Sequence, residues 1–284
     1  MANDTKNTNT LIQEQVASIL VEPLEAESVV LNAGPTIFNS SEPLRINTIN
    51  DGFTPTFIGE NEEIPDDGAA QFGEIKLMPN ERKSIKKIIR VSNELIRQST
   101  VGVSQVLQQR LVKDVANTLD DALLLGDGSD DTITGLVEQD GVLTAEMSTT
   151  DTDPFLDALA LAASREVTPN RFILNGGDFF ELRKLKDGNG RYIMQGGPAE
   201  DAPFTLFGVP VTVTNKLPAG KSILADTAAI AVVRDIDPEV TILNERYAEF
   251  DQVGIRVKTR YDLGLIRPEG VIVMESSAGN GEGE

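Results

Sequence analysis

Residues Val103–Leu125, VSQVLQQRLVKDVANTLDDALLL, run directly into Gly126-Asp127-Gly128-Ser129 and then Gly135-Leu136, and this stretch decides how the chain reads. Leu107, Leu111, Val115, Leu119 and Leu123 recur every four residues, with Val112 and Ala116 beside them. That spacing predicts a helix with one apolar stripe facing a core. Gln108, Gln109, Lys113, Asn117 and Asp120 are expected to face water. At about 1.5 Å per residue the helix is about 33 Å long, and Gly126 and Gly128 stop it.

Around this helix the pattern is mixed. Before it, Leu44–Ile49 and residues 84–91 read as strands at the two ends of a long excursion punctuated by Gly52, Pro55, Gly59, Pro65, Gly68, Gly73 and Pro79. An excursion of that length in a compact domain is usually functional or disordered. After it, Asp153 caps a helix that has Pro154 at its first position and Phe155, Leu156, Leu159 and Ala163 as its buried face. Arg171–Asn175 reads as a strand, and residues 178–186 as a short helix ending in Asp187-Gly188-Asn189-Gly190. Phe172, Phe179, Phe180, Phe204 and Phe207 read as core. Residues 238–274 return to β, with strands expected at 240–243, 254–258 and 270–274. Residues 13–21 can carry one short helix, and residues 1–10 read equally as a frayed terminus. The fold class is α+β.

Composition narrows the chemistry. The 284 residues are long enough for a sizeable core, and no apolar run reaches the length of a membrane span. With no cysteine and no histidine, disulfides, the usual zinc sites and His-based triads are excluded. The chain is therefore read as a non-enzyme with no cofactor and no metal. The net charge is -20, from 45 acidic and 25 basic residues, which argues against a DNA-gripping basic face. Such a surface keeps a protein dispersed. With only 11 lysines against 14 arginines, it also points to a salty host cytoplasm, where screening acts over about 3 Å at 1 M.

The succession of the long helix, Gly126-Asp127-Gly128-Ser129, then Leu182-Arg183-Lys184-Leu185-Lys186-Asp187-Gly188-Asn189-Gly190-Arg191-Tyr192 and Leu206-Phe207-Gly208-Val209-Pro210-Val211 resembles the major capsid proteins of tailed viruses. Their shells have the HK97-like fold. Phe57-Ile58-Gly59-Glu60-Asn61-Glu62-Glu63-Ile64-Pro65, Ser92-Asn93-Glu94-Leu95 and Arg267-Pro268 are similar to further passages of that family. No one of these is specific; their order and spacing carry the likeness. The resemblance implies an N-terminal arm over residues 1–43 and an E-loop with flanking strands over 44–91. It implies a peripheral domain with the spine helix over 92–131 and an axial domain over 132–237. Strands returning to the peripheral domain follow over 238–274, with a flexible tail over 275–284. It further implies self-assembly into pentamers and hexamers of an icosahedral shell around double-stranded DNA, in a virion assembled in the host cytoplasm. Scaffolding, portal and decoration proteins are implied partners, with no membrane. Only about 20 residues precede the arm, and Met1 favours scaffolding supplied by another protein. Two alternatives stay open: an encapsulin-type compartment holding cargo enzymes and, more remotely, a monomeric carboxylate-based hydrolase.

The candidate sites follow from charge and from the resemblance. Arg82, Lys83, Lys86, Lys87 and Arg90 place five cations in nine residues, while Glu60, Glu62, Glu63, Asp66 and Asp67 gather anions near the E-loop tip. Tips of one subunit are expected to meet the basic base of another; two solvated faces of one hairpin are the alternative. Asp187, Asn189, Arg191 and Tyr192 are expected at the capsomer centre. Some family members join subunits by an isopeptide bond from an E-loop lysine to an asparagine, aided by a glutamate. Here no lysine lies between Lys6 and Lys76, and the other two positions fall at Asp251 and Lys258, so no such cross-link is expected. Asp127, Ser129, Asp131 and Glu138 fall in a calcium-loop register, but Thr132 stands where the turn glycine belongs, and a helix-stopping turn reads better. Asp187-Gly188-Asn189-Gly190 likewise reads as a tight turn, with glycine and asparagine at positive φ.

Overall fold

The computed structural model describes residues 28–40, 42–49, 57, 72–78, 84–94, 103–129, 132–192, 204–243 and 245–276. The helix α1 (Val29–Asn32) is followed by strands β1 (Thr36–Asn39), β2 (Leu44–Ile49), β3 (Phe72–Leu77) and β4 (Ile85–Ser92). The long helix α2 (Val103–Leu125) has the bounds its apolar period predicts. Then come β5 (Leu143–Glu146), α3 (Asp153–Ser164), β6 (Arg171–Asn175), α4 (Gly176–Arg183), β7 (Thr205–Leu206), β8 (Val209–Thr214) and β9 (Lys221–Ala225). The chain closes with two 14-residue strands, β10 (Ile230–Leu243) and β11 (Gln252–Leu265), and with β12 (Val271–Glu275).

Two sheets share α2 as their common packing surface. The first has the order β1-β10-β11-β4, and the second β5-β12-β9-β6-β8-β7. In both, the pleat sends alternate residues to opposite faces. In the second sheet Ile173, Ile223, Ala225 and Val271 join the cluster built on Leu111, Val115, Leu119 and Leu123 of α2. Their neighbours Phe172, Leu174, Leu224, Ile272 and Met274 join a separate cluster with Phe155 of α3 and Phe179 of α4. Phe155 and Phe172 meet edge to face, centroids 5.9 Å apart. A sheet covered on both faces needs unbroken apolar strands, which is why Val271-Ile272-Val273-Met274 does not alternate.

The first sheet is covered differently. Ile230, Val232, Val257, Tyr261, Leu263 and Leu265 face α2. On the opposite face Ala231 and Val233 pack under the root of the β2–β3 hairpin, against Leu77, Met78, Leu44, Ile46 and Ile75. Gly264 is required there, because a Cβ would collide with the Leu77 side chain.

Several expectations change. The hairpin partner of β2 is β3, not residues 84–91; these join β11 in antiparallel register instead. Alternation of Ile75 and Leu77 with Glu74 and Lys76 suits a strand with one buried face, and strand pairing is not encoded locally. The break between residues 237 and 238 runs through β10, and β12 lies between β5 and β9 in the second sheet. Helix α3 buries Phe155, Ala158 and Ala162, while Leu156 is 44% exposed and Ala163 is exposed. The first residue before that helix is Thr152, so Asp153 is its first turn rather than its cap. At the other end Arg267 donates to the carbonyls of Arg165 (2.6 Å) and Glu166 (3.4 Å), the C-cap of α3 and the residue after it. Helix α4 begins earlier than expected because Asn175 caps it, accepting from Gly177 N–H at 2.8 Å.

Of the five phenylalanines read as core, Phe172 and Phe179 are buried, whereas Phe180, Phe204 and Phe207 are not. Phe207 and Gly208 form the two-residue turn between β7 and β8, both at positive φ (51° and 85°), so Phe207 sits on a hairpin tip. Phe180 follows Phe179 around α4 and points outward, 52% exposed. Phe204 lies against Phe179 at 5.0 Å with the Arg183 guanidinium over its ring.

Candidate functional site

The half of the first sheet's outer face that the hairpin root leaves uncovered is basic. Strands β4 and β11 pair so that Lys86 stands opposite Lys258, Ile88 opposite Arg256 and Arg90 opposite Gly254. Residues of this parity point away from α2, since Ile85, Ile89, Ile255 and Val257 pack toward it. Tyr247, in the turn after β10, lies over Gly254, where a Cβ would come within 2.8 Å of its ring. The guanidiniums of Arg90 and Arg246 both sit over that ring, 5.4 and 5.7 Å from its centroid. Arg256 donates to Thr241 Oγ1 at 3.3 Å.

Lys86, Arg90, Arg246, Arg256 and Lys258 thus share one face, and among the described residues none of their side chains forms an ion pair. Glu239 stands beside Lys258 in register on β10. Like charges directly opposite one another across strands destabilise a sheet. In a chain of net charge -20, five clustered cations are the clearest departure from the rest of the surface. The same face carries Ile88, 40% exposed, among them.

The pleat divides the basic base expected from the sequence. Lys86 and Arg90 belong to this outer face, but Lys87 turns the other way and pairs with Asp114 of α2 at 3.8 Å, where Arg110 also reaches Asp114 at 3.2 Å. Arg82 and Lys83 lie outside the described residues, as do Glu60, Glu62, Glu63, Asp66 and Asp67. The sequence reading missed Arg246 and Arg256 and took Lys258 only as a vacant cross-linking position. They are far from Lys86 in sequence, and only the β11–β4 register brings them together. The available signal was the odd–even spacing of Arg256, Lys258 and Arg260 against Ile255 and Val257. Arg260 is not part of the patch, because it pairs with Asp235 at 3.0 Å.

Asp187, Asn189, Arg191 and Tyr192 form an exposed turn at the end of the segment after α4. The Asp187 carboxylate accepts from the N–H groups of Asn189 (2.9 Å) and Arg191 (2.8 Å), and its own N–H donates to the Arg191 carbonyl at 2.8 Å. Gly190 alone takes a positive φ (79°); Asn189 does not. Lys186 Nζ lies 4.8 Å from the centre of the Tyr192 ring. The carboxylate is thus already engaged by its own turn.

Asp127 is engaged in the same way. It accepts from Ser129 N–H (2.9 Å) and Ser129 Oγ (2.8 Å), and these bonds hold its carboxyl below the ordinary carboxylate range. Asp131 of the calcium register lies outside the described residues. The glycines on either side lock the loop onto α2: Gly135 N–H donates to Gly126 O at 2.7 Å, and a Cβ on Gly135 would sit 2.6 Å from the Leu124 carbonyl carbon. At the cross-linking position, Asp251 adopts φ 47° and accepts from Asn93 Nδ2 at 2.7 Å, tying the β10–β11 turn to the end of β4.

Asp120 contradicts its expected place in water. It is 2% exposed and accepts from Ser28 Oγ at 2.6 Å and from the N–H groups of Val29 (2.9 Å) and Val30 (3.4 Å). Burial lifts its carboxyl above the ordinary range; the hydrogen bonds from Ser28, Val29 and Val30 and the charge of Lys216 pull it partly back.

Comparison with known proteins places this architecture. The chain is 24% identical over 294 residues to the major capsid protein of Klebsiella oxytoca phage phiKO2, covering 93% of this chain and 67% of that one. It is 26% identical over 204 residues to the major capsid protein of Enterobacteria phage HK97, covering 70% of this chain and 52% of that one. In structure it is similar to the capsid of the native GTA particle, with a TM-score of 0.73 at 18% identity over 88% of this chain and 90% of that one. It is also similar to a chain of Microbacterium phage Oxtober96, with a TM-score of 0.72 at 14% identity over 88% and 91%. At such identities the structural likeness shows the fold, which is the HK97-like capsid fold, and assigns no residue roles. The phage capsid family matches residues 8–276. That match takes in both sheets and the long helix α2, so the chain belongs to the phage capsid family.

Proposed function

We propose that this chain is the major capsid protein of a tailed phage, a structural subunit that closes with copies of itself into a shell. The reading rests on a family and fold match over nearly the whole chain, together with an outer sheet face on which five cations form no ion pair among the described residues. Copies assemble as pentamers and hexamers of an icosahedral shell around double-stranded DNA. The 187–192 turn lies at the capsomer centre, and residues 1–43 and 44–91 serve as arm and E-loop. Scaffolding, portal and decoration proteins are the expected further partners, and assembly takes place in the host cytoplasm. Contacts between subunits are non-covalent.

The site that joins subunits is the basic outer face, Lys86, Arg90, Arg246, Arg256 and Lys258. Its partner is the acidic run Glu60, Glu62, Glu63, Asp66 and Asp67 of a neighbouring copy. An exposed ion pair contributes only about 0–1 kcal/mol. A contact repeated at every subunit of a closed shell nevertheless decides whether the shell forms, and it removes the like-charge repulsion across β4 and β11. The test is the double variant Arg256→Glu with Lys258→Glu. Its melting temperature is expected to stay within a few degrees of the parent, while sedimenting shells fall at least tenfold. Restoration by Glu62→Lys with Glu63→Lys in the same chain would identify the partner. An unchanged shell yield in the double variant contradicts the assignment.

A further inference from the structure

Two buried carboxyl groups on different elements do the same thing. Asp120 lies in the middle of α2 and receives Ser28 Oγ together with the first N–H groups of α1, from residues about ninety positions earlier in the chain. Asp262, 1% exposed in β11, receives the Met78 N–H at 2.7 Å, from a residue 184 positions away. Each acceptor sits on an element that contributes to the buried core, α2 or β11, and each donor sits where an extension joins the body. Ser28 begins the described part of the N-terminal arm, with Val30 and Leu31 seated in the core behind it. Met78 ends the root of the β2–β3 hairpin, held at φ 57°, a left-handed conformation that a methionine adopts only when its surroundings fix it.

Apolar packing alone does not fix the rotation or register of a root, because it is not directional. A buried carboxyl accepting backbone N–H groups does, since moving the donor costs a directional hydrogen bond in the interior and strands the donor N–H there. We propose that Asp120 and Asp262 are positioning residues: each pins the root of one extension, so that every subunit presents its arm and its hairpin to neighbours in one geometry. The pins are independent, one on α2 facing the arm and one on the outer sheet face under the hairpin. The consequence for shells rests on the capsid reading above; the pinning itself does not.

The experiment is amide hydrogen exchange on the full chain, comparing the parent with Asp120→Asn and Asp262→Asn. Each substitution keeps the volume, removes the charge and leaves one acceptor oxygen beside a donor NH2 where the carboxylate has two acceptors. Asp120→Asn should speed exchange across residues 29–31 about tenfold or more and leave residues 75–78 unchanged, and Asp262→Asn should do the reverse. Electron micrographs of both variants should show fewer closed shells and a wider spread of diameters. Should Asp120→Asn fail to fold, Ser28→Ala removes one contact only and must still speed residues 29–31 selectively. Exchange unchanged in both segments, or accelerated in both by either variant, overturns the proposal. Selective exchange in a chain whose parent never closes shells would count against the capsid reading alone.

Discussion

At Asp120 two effects oppose each other, and their balance is measurable. Burial favours the neutral carboxyl, while three donors and the charge of Lys216 favour the carboxylate; burial is the larger, so the folded state holds the proton more tightly than the unfolded chain does. The stability tied to that proton is present below the ordinary carboxylate range and is lost as pH rises through the raised value. At Asp127 the sign is opposite. Its exposed carboxylate is stabilised by Ser129, so its contribution is present above the ordinary range and is lost as pH falls through the lowered value. Thermal melts across the acid range should therefore diverge. As pH falls, the parent should gain on Asp120→Asn above the ordinary carboxylate value and lose ground to Asp127→Asn below it. Parallel curves for either variant would contradict the assignment. Asp120 was misread because a polar side chain was sent to water, yet it lies one turn from both Ala116 and Leu124, and both are buried. That row was visible in the sequence. Its partner Ser28, 92 residues away, was not.

Elements were legible where the signal is local. The bounds of α2 follow from a helical period and a glycine stop, and Leu44–Ile49 and Arg171–Asn175 follow from short β-rich runs between turn residues. What failed was pairing and facing. Nothing local says that residues 85–92 join β11 rather than β2, or that β12 lies between β5 and β9, and three of the five phenylalanines were placed inside on composition alone. The same limit governed the candidate site, because three of its five cations, Arg246 in the turn after β10 and Arg256 and Lys258 on β11, are remote from β4 in sequence. The pleat of β4 supplies a direct check. Lys86 faces outward and Lys87 faces Asp114, so Lys86→Glu should reduce shell yield and leave the melt unchanged. Lys87→Glu should leave assembly intact and lower stability by about 1 kcal/mol or less, as expected for a half-exposed pair. Equal effects of the two on assembly would mean that the cations act as one run in sequence, not as one face of a sheet.

For the whole molecule, charge acts at two ranges. The net charge of -20 makes copies repel one another at a distance, and salt relieves that repulsion. On the proposed reading, the basic outer face attracts the acidic run of a neighbouring copy at contact, where burial limits screening. A chain that assembles as proposed would stay dispersed by its net charge and associate where the two faces meet in register. Shell cohesion on this reading comes from large repeated interfaces between copies. Electron cryomicroscopy of the purified chain, alone and with scaffolding protein added, tests this account most directly. It predicts closed icosahedral shells in which the outer face of the β1-β10-β11-β4 sheet, from Lys86 to Lys258, is covered by a neighbouring subunit. A stable monomer under every condition would contradict it, and so would shells in which that face is open to solvent.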